Sequence, residues 1–91
     1  MIKGETKSGF KFEIDERATK DWKTIQCLRF ITKNENALET IDAIGNLGEY
    51  LLGKNFDKLI KHIEKKNDGY CTIEEISNEI IEIFKSTELK N

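Results

Sequence analysis

Near the N-terminus, apolar and charged residues alternate strictly over residues 10–14, which read FKFEI. A period of two places the apolar members of this segment on one face of a strand. Ser8 and Gly9 come directly before it and favour a tight turn, because glycine accepts positive φ angles. We therefore expect a β-hairpin over residues 1–14, with residues 2–7 as the first strand and an apolar face that packs on the rest of the chain.

After the hairpin, apolar residues recur at intervals of three and four, which is the spacing of amphipathic helices. Asp21, Asn36, Asn55 and Thr72 stand at the starts of these segments and favour N-caps, because their side chains accept hydrogen bonds from unpaired backbone amides. Asn36 and Thr72 also have a glutamate three positions later, as in a capping box. The predicted helices span residues 21–33, 37–52, 55–66 and 73–86.

Two glycines, Gly45 and Gly48, lie inside the second predicted helix, where each costs about 1 kcal/mol of helix stability relative to alanine. They indicate either close approach of another backbone or a local break. Gly53 is placed to end this helix, and the NDG sequence of residues 67–69 is a strong turn signal. The chain has no proline and no internal repeat, so we predict one α+β domain in which an N-terminal β-hairpin packs on a bundle of about four short helices.

The composition narrows the possible partners. Ninety-one residues make one domain with a modest core, which self-association or a partner would help to stabilise. The net charge of −2 is spread without a long block of one sign, so neither a nucleic acid nor a membrane is the expected partner. Cys27 and Cys71 do not have CxxC spacing, and we interpret them as buried thiols in a reducing cytoplasm. No apolar run reaches the roughly 20 residues that cross a bilayer. We expect a soluble intracellular protein.

Residues suited to catalysis are sparse. His62 is the only histidine and lies off the apolar stripe of its helix, so we expect it to be an exposed surface residue. Neither cysteine has a histidine nearby in sequence, and Glu74 and Glu75 point apart because they are adjacent on a helix. The sequence therefore predicts no enzyme, no catalytic residue, no cofactor and no metal site.

Two alternative functions remain open. Residues 66–75 resemble the latter part of a calcium-binding EF-hand loop, with Asp68 and Glu75 as oxygen ligands, although Lys66 falls at a ligand position and opposes a cation. A small nucleic-acid-binding regulator is the other alternative, with the second and third helices as a helix-turn-helix. Against it, the lysines of the third helix are mixed with acidic residues, and this helix has no Arg or Gln to read bases.

Apolar residues outside the main stripes are the candidates for contact with another protein. Phe30, Tyr50 and Ile81 lie off the main faces of their helices, and extra apolar residues of this kind form interaction patches in small domains. With Phe84 of the last helix, they are the predicted protein-binding residues. Trp22, the only tryptophan, is expected to anchor the core from the first turn of its helix.

The landmarks follow one another in a definite order: the hairpin of residues 7–14, the helix start at Asp21 and Trp22, the GEYLLG segment of residues 48–53, and the NDG turn before the last helix. This order resembles, over nearly the whole chain, the small tail assembly chaperones of long-tailed (siphovirus-type) bacteriophages and prophages. The resemblance implies a protein that coats the long, hydrophobic tape measure protein in the host bacterial cytoplasm and is absent from the mature virion.

The same resemblance implies a further partner. In many such phages a longer form of the chaperone arises by programmed ribosomal frameshifting near the end of the short gene. The final residues, Leu89, Lys90 and Asn91, can be encoded by a slippery run of adenines. We therefore expect the tape measure protein and a frameshifted longer form as candidate partners, and the modest core makes a homo-oligomer a third candidate.

Overall fold

The computed structural model describes the backbone of residues 1–34 and 37–89 and, within these, the side chains of residues 1–34 and 39–87. Its elements in chain order are β1 (Ile2–Glu5), β2 (Lys11–Ile14), α1 (Glu16–Lys20), α2 (Trp22–Lys33), a 3₁₀ turn (Ala37–Thr40), α3 (Ile41–Leu52), α4 (Asn55–Lys66) and α5 (Ile73–Leu89). The predicted α+β fold, a β-hairpin followed by short helices, is confirmed.

The hairpin is antiparallel, with Ile2 opposite Ile14. Its turn is closed by two backbone bonds of 2.9 Å, from the Thr6 N–H to the Phe10 carbonyl and from the Gly9 N–H to the Thr6 carbonyl. Gly9 has a φ of +95°, as the turn prediction requires. The first strand ends at Glu5, two residues earlier than predicted, because the turn takes up the rest of the segment.

The short helix α1 was not predicted. Asp15 caps it by accepting a 2.9 Å hydrogen bond from the Arg17 N–H, and Asp21 ends it. Five residues are too few to show a helical period, so only the cap marks this helix in the sequence. Asp21 also caps α2, as predicted, because its carboxylate accepts a 2.8 Å bond from the Lys23 N–H.

Trp22 is not a core residue, contrary to the prediction, and 64% of its surface is exposed. The buried side of α2 carries Thr24 and Ile31. Nine residues separate Trp22 from Ile31, and at 100° per residue they lie on opposite sides of the helix. The first turn of α2 therefore points its aromatic ring away from the core.

The second predicted helix is divided into two parts. Residues 37–40 form the 3₁₀ turn, and α3 runs from Ile41 to Leu52. Gly53 ends it with a φ of +55°, as predicted. The predicted cap at Asn36 lies outside the described residues.

The start of α4 differs from its prediction, whereas the start of α5 agrees with it. Asn55 is the first residue of α4, and Lys54 holds the capping position without a side-chain bond. Thr72 caps α5 by accepting a 3.1 Å hydrogen bond from the Glu75 N–H, which confirms the Thr72 half of the predicted capping box. The Glu75 carboxylate accepts from the Thr72 hydroxyl at 2.8 Å. The last helix continues to Leu89, three residues past the predicted end.

The core lies where one face of the hairpin meets the helices. Its buried apolar side chains are Phe10, Phe12, Ile14, Ile31, Ile44, Leu47, Leu51, Leu52, Leu59, Ile63, Ile80, Ile83 and Phe84. Within the described part of the chain, no helix is both long and apolar enough to cross a membrane.

Candidate functional site

The four predicted protein-binding residues do not form one patch. Phe30 and Tyr50 are exposed, at 46% and 41% of their surface, whereas Ile81 is half-buried against the core. Phe84 is only 3% exposed, so the structure places it in the core and not on a contact surface. The apolar stripe of α5 accounts for this burial, because Ile80 and Ile83 lie on the same face and are also buried.

A groove with a mostly apolar lining lies between α3, α4 and the start of α5, and we call it the apolar groove. It encloses about 380 Å³. The side chains that shape it are Ile41, Phe56, Ile60, Ile73 and Ile76, together with the bare backbone of Gly45. Ile41 is 46% exposed and the other four side chains are half-buried, so apolar surface remains open to a partner.

Gly45 keeps this groove open. A Cβ atom built on Gly45 would meet no atom within 4 Å, so the space above its backbone is empty. The sequence predicted close approach of another backbone or a local break at the helical glycines. At Gly45 the structure shows neither, because α3 runs through this residue and the space beside it is open. The groove residues themselves have helical spacing, which is also the spacing of a fully covered core.

Glu64 and Cys71 supply the polar chemistry of the groove. Burial raises the pKa of the Cys71 thiol, and the negative charges of Glu75 and Glu64 raise it further. A raised pKa keeps this thiol protonated near neutral pH and therefore poorly nucleophilic. Glu64 is half-buried and gives this part of the groove a negative charge.

In the turn that resembles an EF-hand loop, the Glu75 carboxylate accepts hydrogen bonds from neighbouring side chains. Glu75 Oε1 accepts hydrogen bonds from Asn67 Nδ2 at 2.6 Å and from Thr72 Oγ1 at 2.8 Å. These bonds tie Glu75 to the start of α5. In the described ranges 1–34 and 37–89, no three His, Cys, Asp or Glu side chains are grouped to hold a metal ion.

A polar cluster at the hairpin turn, which we call the hairpin clamp, was missed by sequence reasoning. His62 is half-buried, not exposed as predicted, and its Nε2 lies 3.2 Å from Ser8 Oγ and 3.1 Å from the Ser8 carbonyl oxygen. The Ser8 hydroxyl donates to Glu79, whose side chain is buried. The His62 ring also lies beside Phe10, with 5.6 Å between ring centroids.

The hairpin clamp has the residue types of a catalytic triad but a different connection between them. In a triad, the carboxylate orients the histidine, and the histidine takes the proton of the serine. Here Glu79 accepts from Ser8 itself, and the Lys66 ammonium donates to the same Ser8 carbonyl that faces His62. These contacts fasten the hairpin turn to α4 and α5, which is a structural role.

The helix-turn-helix alternative would use α3 and α4. Within α4, His62 and Lys66 face the hairpin turn, and Leu59 and Ile63 are buried in the core. The exposed lysines of this helix are interspersed with Asp57, which is also exposed. The surface of this helix therefore carries charges of both signs, which gives no specific support for recognition of a DNA major groove.

No known protein family, curated protein or solved structure matches this chain. The apolar groove and the hairpin clamp are therefore the features of the chain from which a function can be inferred.

Proposed function

We propose that this protein is a tail assembly chaperone of a long-tailed bacteriophage or prophage, which binds the tape measure protein during tail morphogenesis. The order of sequence landmarks supports the class of protein. The observation that carries the proposal is the apolar groove, because a chaperone for a long apolar client needs open apolar surface on an otherwise charged domain.

The groove fits a helical client segment. Its walls are formed by three helices, and an amphipathic helix can insert apolar side chains spaced i, i+3 or i+4 and i+7 between them. The negative charge of Glu64 favours a client segment with a lysine or arginine beside its apolar ridge. Many copies bound along one client gain from avidity, so a weak single contact is sufficient.

The proposal also places the protein in the host bacterial cytoplasm and outside the mature virion. A longer frameshifted form of the chain is a further proposed partner. Sequencing the gene through the codons of its last residues tests this part. A slippery adenine run with an overlapping frame and a long downstream gene is the expected result, and an interrupted run contradicts the frameshifted form.

The client interaction is tested by co-expression with the long protein encoded downstream, followed by affinity purification. Gly45→Leu fills the groove, and it retains the fold because leucine is a better helix former than glycine and the space above Gly45 is empty. Gly45→Ala is the matched control, since a single methyl group leaves most of the groove open. We expect the leucine variant to lose the client and the alanine variant to retain it.

A second pair of variants checks the same surface by charge. Ile41→Glu places a carboxylate in the groove at a residue that is already 46% exposed, so the fold tolerates it. Tyr70→Glu makes a similar change at a 71% exposed residue that does not line the groove. Client capture that persists in both Gly45→Leu and Ile41→Glu overturns the assignment of the groove as the client site.

A further inference from the structure

The outer side of α2 combines aromatic and basic residues. Trp22 and Phe30 are 64% and 46% exposed, and Lys23, Arg29 and Lys33 are exposed on the same side. The helix contains no Asp or Glu, so nothing within it neutralises these cations. We call this surface the basic face.

The neighbouring helix α3 has the opposite charge. Asp42 and Glu49 are exposed, with Asn46 and the 41% exposed Tyr50 between and beside them, and α3 contains no Lys or Arg. These four residues have the spacing i, i+4, i+7, i+8, which confines them to an arc of about 100°. We call this surface the acidic face. On α2, Trp22, Gln26, Arg29 and Phe30 have the same spacing.

The two faces lie side by side on one surface of the domain. Tyr50 of α3 shares a cleft with Lys23 and Thr24 of α2, so the end of α3 lies beside the start of α2. Helix α2 also packs along α3 and contacts the 3₁₀ turn that precedes it, so the two helices run antiparallel. Among the residues that the structure describes, no ion pair joins the basic face to the acidic face. Both faces therefore present unpaired charge to the outside.

We propose that these two faces form the interface of a two-fold dimer, in which the basic face of one chain docks on the acidic face of a second copy. A two-fold axis parallel to the helices places α2 antiparallel to α3 of the partner, and both contacts are made twice. Lys23 then lies close to the partner's Glu49, and Lys33 to the partner's Asp42. Phe30 and Tyr50 contribute the apolar area of this interface.

Charge and size favour a second copy over a nucleic acid. Each face is 12 residues long, or about 18 Å, and the acidic face lies directly beside the basic one, where it would repel a polyanion that extends past α2. A second copy offers both charges at the required spacing. Two neighbouring helices of this length present roughly 400 Å² per chain, which corresponds to a weak, reversible dimer.

The experiment is sedimentation equilibrium of the full chain and of two charge-reversal variants, Lys23→Glu and Glu49→Lys. Both changes suit the helix dipole, because Lys23 is at the start of α2 and Glu49 is near the end of α3, so neither is expected to unfold the protein. Each variant alone places like charges across both symmetric contacts. We expect each to dimerise at least tenfold more weakly than the native chain, whose dimer weakens as salt rises from about 50 to 500 mM.

Sedimentation equilibrium of a mixture of the two variants is the decisive measurement, because the mixed dimer restores opposite charges at both contacts. We expect it to form with near-native affinity, whereas repulsion within one chain would be unchanged by mixing. Lys61→Glu, an exposed charge reversal on α4, is the control and should leave dimerisation unchanged. A native chain that stays monomeric to about 1 mM, variants that dimerise normally, a mixture that does not recover, or tighter binding to a single-stranded oligonucleotide overturns the proposal.

Discussion

The ring of Phe56 occupies the space in which a side chain at Gly48 would lie. A Cβ atom built on Gly48 would be 2.5 Å from Phe56 Cε1 and 2.7 Å from Cζ, which is too close for two carbon atoms. The close approach expected at this glycine is therefore made by a side chain and not by a backbone. Gly45, one turn earlier in the same helix, has no atom within 4 Å of the corresponding position.

These two glycines should respond in opposite ways to alanine. Gly48→Ala forces the Phe56 ring out of its place between α3 and α4, and overpacking of this kind costs about 1–3 kcal/mol. Gly45→Ala meets no atom and gains helix propensity, so it should stabilise the fold by up to about 1 kcal/mol. Urea unfolding of both variants measures the difference. Equal effects of the two substitutions would contradict the packing described for Phe56.

Signals carried by neighbouring residues were sufficient for much of the fold. The FKFEI alternation, the Asp21 cap, the stop at Gly53 and the Thr72 cap all depend on residues within a few positions of one another, and each is confirmed. Such local signals depend little on tertiary packing, so they can be recognised in a single sequence.

Signals that depend on the tertiary arrangement were missed. The hairpin clamp joins Ser8 to His62, which are 54 positions apart, and no short-range sequence pattern indicates this contact. Helical spacing shows which residues share a face, but it does not show whether another element covers that face. For this reason Trp22 was expected in the core, and the open groove beside Gly45 was not foreseen.

Removing the cap of α5 should cost a defined amount of stability. In Thr72→Ala, the Glu75 N–H loses its 3.1 Å acceptor, and loss of such an N-cap costs about 1 kcal/mol. Thr32→Ala is a suitable control, because the exposed Thr32 hydroxyl only donates to the Arg29 carbonyl within α2. Chemical denaturation should show a lower unfolding midpoint for the first variant and little change for the second. A Thr72→Ala protein as stable as the native chain would show that the cap is dispensable.

The hairpin clamp should depend on the Ser8 hydroxyl. Ser8→Ala removes a donor from the buried carboxylate of Glu79, and a hydrogen bond to a charged group contributes about 1.5–3 kcal/mol. We expect a lower free energy of unfolding and faster amide hydrogen exchange in β1 and β2. Ser77→Ala, at a half-buried serine of α5, is the comparison. If both alanine variants exchange at the same rate in the hairpin, Ser8 does not hold it in place.

The cap of α1 predicts an acid-range titration. Hydrogen bonds from the Arg17 side chain and backbone lower the pKa of Asp15 from 3.8 to about 2. Because the folded-state pKa lies below the unfolded value, the stabilisation from Asp15 is present above pH 3.8 and is lost as the pH falls through about 2. NMR titration of the carboxyl carbon should find this low value, and Arg17→Ala should raise it, whereas Arg29→Ala should leave it unchanged. An ordinary Asp15 titration in the native chain would rule out this cap.

The Cys71 thiol reports on the apolar groove. Its pKa is raised by burial and then by the charges of Glu75 and Glu64, so less reactive thiolate is present at any pH below the pKa than in the unfolded chain. Iodoacetamide should therefore modify Cys71 more slowly in the folded protein. Glu64→Gln should speed this reaction, because the substitution removes one of the charges that oppose ionisation.

Cys27 is the internal control for this measurement. Its pKa is raised by burial alone, so Glu64→Gln should not change its rate. Peptide mass spectrometry after timed alkylation at several pH values gives both rates from one sample. Bound client should slow the alkylation of Cys71 and leave the alkylation rate of Cys27 unchanged, because Cys71 lines the groove and Cys27 does not. Equal protection of both thiols by the client would mean that it binds elsewhere or stabilises the whole fold.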